Sequence, residues 1–496
     1  MKLKNSDITL LCKVVDNYGD IGVVFRLAKA LSELMPEQGA GLRLIVDNLA
    51  AFAQLSPGVD VTKPLQQHRG WTVCQWDAAD EGRKMYAETP PLVIVECFAC
   101  GRPEWLDDIL FDKSLQALRQ KPVQIINLEY LTAEPYADEF HKLQSLTRSA
   151  QVRKVNFMPG FTDETGGLIL DGVPLTGDSS AVGDMSGMVP VAGRSENFPV
   201  VCSSGGETFT FLIFSYERDF STIADALAAF AENYENCAKT GTPAISTTGT
   251  PVDLSAPAAI GGTDATSPQN TAKIRILVAA GKSEEPFRSA WTMCADRKKP
   301  NGKQVEKNNK NQFGSADLPE PETLPFLAQE EWDKLLYSAD FLFIRGEDSL
   351  SRACLSGKPF VWHAYPQSEM YHLVKVQALL DRMEPFFSAE NFRLISDYWL
   401  WYNGKTDIGT DGASKIAADG AKKDAAGNTS SCNSNGGTNA ASSQNATNCA
   451  YDSRAALLEI LSHYDEIRES FLAFSKNLVK NGNLAEHLMT FIREIV

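Results

Sequence analysis

The chain has 496 residues, 43% hydrophobic and 22% charged, a composition typical of a globular protein with about two or three domains. Its formal net charge of −16 argues against non-specific binding to nucleic acid or to anionic membranes. No apolar run reaches the roughly 18 residues that a membrane helix needs. The first apolar run, at 8–15, lacks a small-residue cleavage site, so it predicts a strand rather than a signal peptide. We therefore expect a cytoplasmic protein that binds neither nucleic acid nor membrane.

The first part of the chain, residues 8–180, alternates short apolar runs with helical patterns. Strands are predicted at 8–15, 42–46, 92–95 and 124–128, and a helix at 21–35. Strands that alternate with helices indicate a parallel sheet. Cys97 and Cys100 form an isolated C-x-x-C pair, which without a second pair predicts two reduced thiols rather than a zinc site.

A second α/β region begins near Thr208. Strands are predicted at 209–214, 274–279, 341–344 and 359–362, and helices at 220–234 and 350–356, the latter ended by Gly357. Three low-complexity stretches, 237–269, 296–320 and 404–450, carry too little periodic apolar surface to form a core, so we predict surface insertions.

These elements predict a domain at 1–180, a linker at 181–205 and a second domain at 206–450. Helices at 451–496 close the chain and are candidates to pack back on the first domain. Two α/β domains around a cleft fit several enzyme classes, among them GT-B nucleotide-sugar transferases and dehydrogenases. The first strand-to-helix turn is not G-x-G-x-x-G, and no P-loop is present, which weakens the dehydrogenase and NTPase interpretations.

The segment Arg345-Gly346-Glu347-Asp348-Ser349 follows one predicted strand and opens a helix. In α/β proteins such a loop binds phosphates, because the helix start offers free backbone N–H groups and a partial positive charge. Arg345 suits a diphosphate by charge and by fork geometry. The two acids are not needed for a phosphate cradle, and they suggest chemistry beside it.

Asp16 and Asp20 flank the first strand-to-helix turn, at the sheet edge where ligands dock in such folds. Gly19 and Gly22 would let a ligand approach the backbone. Spacing alone leaves other roles open: Asp20 could cap the helix, and Asp16 could close an Asx-turn. Facing carboxylates in a cleft could instead hold and deprotonate a substrate group, or chelate a metal.

Several short segments, spread through most of the chain outside the insertions, together form a specific pattern. They are 15–22 (VDNYGDIG) with 26–28, 127–131 (NLEYL) with 133–134, 159–162 with 165–167, 214–217, 345–349 with 352–353, and 357–363 with 365–367. Together they resemble the EarP family, the protein-arginine rhamnosyltransferases that modify translation elongation factor P. The resemblance implies a GT-B fold, dTDP-β-L-rhamnose as donor, an arginine of elongation factor P as acceptor, inversion at the anomeric carbon, and neither metal nor cofactor.

The resemblance also assigns roles by position. Asp20 is the expected general base, Asp16 its partner on the guanidinium, and Glu347 sits with the donor and assists catalysis. The expected donor-binding residues are Arg345, Gly346, Asp348, Ser349 and Tyr365 for the diphosphate and sugar, Phe214, Phe326 and Trp332 for the faces of thymine, Gln329 for its edge, and Tyr18, Gly19, Tyr216 and Gln367 beside them.

Two alternatives stay open at this point. One is a GT-B transferase that acts on another acceptor, such as a glycan or a small molecule. The other is an inactive module that binds elongation factor P, which should have lost Asp20 or Glu347, whereas the sequence keeps both.

Overall fold

The computed structural model of the protein describes residues 8–14, 19–35, 42–87, 90–173, 208–240, 273–298, 318–406 and 451–496. Asp16, Tyr18, the predicted linker 181–205 and most of the three predicted insertions lie outside these residues.

The first domain is built on a sheet whose described strands run in the order β3-β4-β2-β1-β5-β6-β8-β7. They are β1 (Ile8–Cys12), β2 (Arg43–Val46), β3 (Leu65–His68), β4 (Trp71–Gln75), β5 (Val93–Cys97), β6 (Val123–Leu128), β7 (Gln144–Ser145) and β8 (Val152–Phe157). Only β3 and β7 pair antiparallel, both at the sheet's ends. The central strands β1, β2, β5 and β6 are buried throughout, because helices cover both faces, and this is why they read as continuous apolar runs.

Six helices accompany this sheet: α1 (Gly19–Glu33), α2 (Leu49–Leu55), α3 (Ala79–Ala87), α4 (Glu104–Phe111), α5 (Lys113–Leu118) and α6 (Tyr136–Phe140). The pattern did not predict the β3–β4 hairpin. Its half-exposed β3 carries two glutamines and a histidine and lacks an apolar run.

The second domain has a parallel sheet in the order β11-β10-β9-β12-β13. Its strands are β9 (Thr208–Ile213), β10 (Lys273–Ala279), β11 (Glu322–Leu324), β12 (Phe341–Arg345) and β13 (Phe360–His363), and its helices are α7 (Ser221–Thr240), α8 (Glu284–Lys298), α9 (Gln329–Ser338), α10 (Glu347–Ser356), α11 (Tyr371–Met383) and α12 (Ala389–Tyr402). Gly357 ends α10 with a φ of 64°, a left-handed conformation that glycine adopts readily.

The closing helices divide between the two domains, whereas the sequence suggested only a return to the first. Helices α13 (Ser453–Ser462) and α14 (Tyr464–Lys480) bury their apolar faces in the core of the second domain. Helix α15 (Leu484–Ile495) crosses back, and its Leu484, Leu488 and Ile492 join the core around α1. Among the described helices, none is long and apolar enough to cross a membrane.

Candidate active site

The site is organised around the loop between β12 and α10. Gly346 has a φ of 75°, in the left-handed region, and directly precedes the helix. Helix α10 begins at Glu347, earlier than the predicted start at 350. Its first backbone N–H groups and the positive end of its dipole therefore lie at the carboxyl edge of the parallel sheet.

A cavity of about 370 Å³ lies beside this loop, between the two domains. Gly19, Gly22 and Leu55 line it from the first domain. The site residues predicted in the second domain that also line it are Phe214, Tyr216, Phe326, Gln329, Trp332, Arg345, Gly346, Glu347, Asp348 and Ser349. The fold thus brings together residues that are separated by more than a hundred positions in the sequence.

The aromatic wall of the cavity is formed by Phe214, Tyr216 and Trp332. The rings of Phe214 and Trp332 meet edge to face at 4.9 Å, and the Trp332 indole N–H donates to Ser349 Oγ at 3.2 Å. Phe326 lies at the rim and is 51% exposed. The ring of Tyr365 meets that of Tyr216 at 5.4 Å, outside the cavity lining.

Gln367, one of the predicted residues, does not line the cavity. Gln367 has an exposed side chain, and only its backbone N–H is engaged, by His372 Nδ1 at 3.2 Å. Tyr18 lies outside the described residues.

Among the described residues that line the cavity, two have a buried polar atom without a hydrogen-bond partner. The guanidinium of Arg345 lies 4.7 Å from the ring centroids of both Phe214 and Tyr216, and its Nε is buried and unbonded. The amide oxygen of Gln329 is also buried and unbonded. Because buried polar groups are normally paired, these atoms point to a ligand that brings an anion for Arg345 and an N–H donor for Gln329.

The carboxylate of Asp348, a residue of the cavity lining, also takes part in the contact between the domains. It accepts from Arg26 on α1, with Nε to Oδ1 at 2.8 Å and Nη2 to Oδ2 at 3.0 Å. Burial would raise the pKa of Asp348, but the charge and hydrogen bonds of Arg26 bring it below its usual value. The side chain is thus engaged at the domain interface. Because its carboxylate would repel a diphosphate, an anion at this helix start would contact the backbone N–H groups instead.

Arg26 links the two domains at this interface. It is 1% exposed, and besides Asp348 it donates to Asp333 at 2.6 and 3.0 Å and to Asp171 at 3.4 Å. Gln329 adds a second link, because its Nε2 donates to the carbonyl of Gly22 at 2.9 Å. Helix α1 is therefore held directly against α9 and α10, the two helices that frame the cavity.

Asp20 lies in the first turn of α1 and is 4% exposed. The helix already begins at Gly19, so Asp20 is inside the helix rather than at its cap. The hydroxyl of Tyr130 donates a hydrogen bond to the Asp20 carboxylate. Asp16 lies outside the described residues.

Glu347 approaches the same place from the second domain. Its Oε2 accepts from the backbone N–H of Leu131 at 3.3 Å. Burial raises the pKa of the neighbouring Tyr130 phenol, and the negative charges of Asp20 and Glu347 raise it further. The fold therefore places one carboxylate from each domain around a phenol that stays protonated.

Two residues at the site were not predicted from the sequence. Tyr130 lies in the segment 127–131 that carries the family resemblance, but no role of its own was predicted for it. Lys282 lines the cavity, with its ammonium 5.6 Å from the ring centroid of Tyr216. It follows Gly281, which has a φ of 114°, between β10 and α8. This strand–glycine–helix order repeats the pattern at Gly346 and was the signal that could have identified Lys282.

A buried polar cluster supports the aromatic wall from behind. The ring of His363 meets that of Tyr216 at 5.3 Å, and its Nδ1 shares a hydrogen bond of 2.7 Å with Ser215 Oγ. Burial lowers the pKa of His363 to about 3, assisted by the charges of Arg218, His372 and Arg345. His363 is therefore a neutral structural residue.

Metal ligands are not gathered at this site: in the part of the chain that the structure describes, no three His, Cys, Asp or Glu side chains are arranged to hold a metal ion. Two Rossmann-like domains that face a cleft, with a glycine-led helix start at its edge, form the GT-B architecture of glycosyltransferases.

The family model described as "Elongation-Factor P (EF-P) rhamnosyltransferase EarP" matches residues 8–248 and 262–493. The chain belongs to this family, which confirms the resemblance, and it is a glycosyltransferase of the protein-arginine rhamnosyltransferase class.

A relative named protein-arginine rhamnosyltransferase, from Pseudomonas putida, is 31% identical over 402 residues, which cover 81% of this chain and 87% of that protein. A relative of the same name from Shewanella oneidensis is 31% identical over 373 residues, which cover 75% of this chain and 79% of that protein. A solved structure described as "Structural basis for EarP-mediated arginine glycosylation of translation elongation factor EF-P" covers 98% of both chains at 18% identity, with a TM-score of 0.43.

Proposed function

We propose that the chain moves L-rhamnose from dTDP-β-L-rhamnose to an arginine side chain of elongation factor P, with inversion at the anomeric carbon and without a metal. The carrying observation is a cavity between the domains that is lined by Gly19 and Gly22 of α1, the helix that carries Asp20. Two unbonded atoms in this cavity, Arg345 Nε and Gln329 Oε1, match a nucleotide diphosphate. The family description and the names of the relatives supply the donor sugar and the acceptor. Elongation factor P is a translation factor, so we place the reaction in the cytoplasm.

The donor fits the cavity in three parts. A thymine base offers flat faces to Phe214 and Trp332 and an N–H to the unbonded oxygen of Gln329. The diphosphate meets Arg345 and the first N–H groups of α10. Lys282 adds a second cation at the same edge.

The acceptor arginine is a cation whose pKa exceeds about 12, so it is a poor nucleophile until one nitrogen is freed. Asp20 can grip the guanidinium, localise its charge and take a proton as the C–N bond forms. Asp16, four residues earlier, is proposed as its partner. Inverting attack requires the base and the leaving diphosphate on opposite sides of the sugar. Helix α1, which carries Asp20, and the loop before α10 line the cavity from the two domains.

The leaving dTDP must have its charge neutralised as the bond to the sugar breaks. Arg345, Lys282 and the positive end of α10 lie together at the cavity and can do this without a metal. Glu347, held by the backbone of Leu131, is placed to orient the sugar rather than to anchor phosphate.

Intact-mass spectrometry of elongation factor P after incubation with the enzyme and dTDP-rhamnose tests this function. We expect a gain of one deoxyhexose, located on an arginine by fragmentation. An elongation factor P variant with lysine at that position is the matched control and should gain nothing. Equal gain on the control, or no gain on the wild type while another acceptor is modified, would refute the proposed acceptor.

A further inference from the structure

Tyr130 and Leu131, in the loop after β6, contact the two proposed catalytic acids. The Tyr130 hydroxyl donates to the Asp20 carboxylate. The next residue, Leu131, donates its backbone N–H to Glu347 Oε2 at 3.3 Å. Two consecutive residues of one loop therefore hold the carboxylates that come from the two domains.

The ring of Tyr130 is fixed by a second aromatic residue. Phe98 stacks on it with ring centroids 4.6 Å apart and an interplanar angle of 18°. Phe98 is 8% exposed, and its backbone N–H donates to the carbonyl of Leu128 at 2.6 Å. This hydrogen bond extends the β5–β6 pairing to Leu128, two positions before Tyr130.

The backbone under this stack is strained. Phe98 and Ala99 have φ values of 60° and 51°, so two consecutive residues with side chains occupy the left-handed region. Residues with side chains seldom adopt this conformation, and strain of this kind persists where the surroundings hold it, often at functional sites. Here it turns the Phe98 ring onto Tyr130 instead of continuing the strand.

We propose that Tyr130 is a positioning residue for the base: its hydroxyl, held by the Phe98 stack, orients the Asp20 carboxylate toward the acceptor guanidinium. This inference rests on the proposed role of Asp20. A positioned donor to a carboxylate also favours the ionised form that a base needs. Other titratable groups that face Asp20 are the thiols of Cys12 and Cys97, whose pKa values burial raises, so both stay neutral. Glu347 faces the phenol itself.

Tyr130→Phe keeps the ring and the stack and removes only the hydroxyl. We expect the single-turnover rate to fall about 10- to 100-fold, the range for losing one hydrogen bond to a charged group. The acid limb of the rate–pH profile should move to higher pH by about one unit, because the carboxylate loses a donor. Affinity for dTDP and the melting temperature should stay at wild-type values. Phe98→Leu, which loosens the ring, should move rate and profile in the same direction by a smaller amount.

Tyr86→Phe is the matched control, because it also removes a buried tyrosine hydroxyl, bonded to Thr9 Oγ1 at 2.8 Å, in the same domain. It should leave the rate and the profile unchanged. The proposal is overturned if Tyr130→Phe behaves like Tyr86→Phe, or if its slower turnover comes with an unmoved acid limb.

The role of Asp20 as the base and the role of Tyr130 as its positioning residue can be refuted independently of each other. If Asp20→Asn abolishes transfer while Tyr130→Phe has no effect, the positioning role alone is wrong. If Asp20→Asn turns over normally, both the proposed base and its positioning residue are wrong.

Discussion

Removal of the Arg26 guanidinium should destabilise the protein strongly, because it leaves two buried carboxylates without their hydrogen-bonded cation. Arg26 is 1% exposed, and Asp348 and Asp333 each accept two hydrogen bonds from it. Breaking a buried ion pair by removing one partner costs about 3–5 kcal/mol. For Arg26→Met we expect the unfolding free energy in urea to fall by that amount.

Exposed ion pairs give the control for this experiment. Arg83 pairs with Asp108 at 2.8 Å in the same domain, with side chains 48% and 59% exposed. Arg83→Met should change the unfolding free energy by less than about 1 kcal/mol. Adding Asp333→Asn to Arg26→Met should recover part of the loss, because it removes one orphaned charge. A loss below about 1 kcal/mol for Arg26→Met, equal to that of Arg83→Met, would refute the reasoning.

Two further predictions concern the donor loop and pH. Arg345→Ala should weaken calorimetric binding of dTDP and dTDP-rhamnose alike by about one to two decades, the value of lost charge-assisted hydrogen bonds. Glu347→Gln should instead lower single-turnover rate more than dTDP affinity, and the opposite order would mean that the loop is assigned wrongly. His363 is neutral in the fold, with a pKa of about 3. As the pH falls from about 6.5 toward 3, this histidine is protonated in the unfolded chain but not in the folded one, so the unfolding free energy falls by about 1.4 kcal/mol per pH unit. His363→Gln should show a slope of unfolding free energy against pH that is shallower by this amount, and an unchanged slope would contradict the assignment.

The elements that frame the site were predictable because their signals are local. Apolar runs bounded by Gly346 and Gly357 fix β12, α10 and β13, and both glycines have the positive φ that such boundaries favour. The GT-B architecture and the family followed from short segments spread along the chain, two of which lie at these boundaries.

The contacts between domains could not be predicted, because their partners are far apart in the chain. Arg26 looks from its neighbours like an ordinary polar position on a helix, and Asp348, which binds it, lies 322 residues away. Tyr130 was missed for a related reason, since neither its stack on Phe98 nor its bond to Asp20 leaves a local pattern.

The most direct test of the account is the single-turnover transfer of rhamnose to elongation factor P by Asp20→Asn, followed by intact mass. We predict a rate about 10²- to 10⁴-fold below the wild type, while calorimetric affinity for dTDP-rhamnose is unchanged, because only the base is lost. Asp80→Asn, which also removes an acid from a helix's first turn, is the control and should transfer normally. Near-normal transfer by Asp20→Asn would contradict the account and leave Asp20 with a structural role in the first turn of α1.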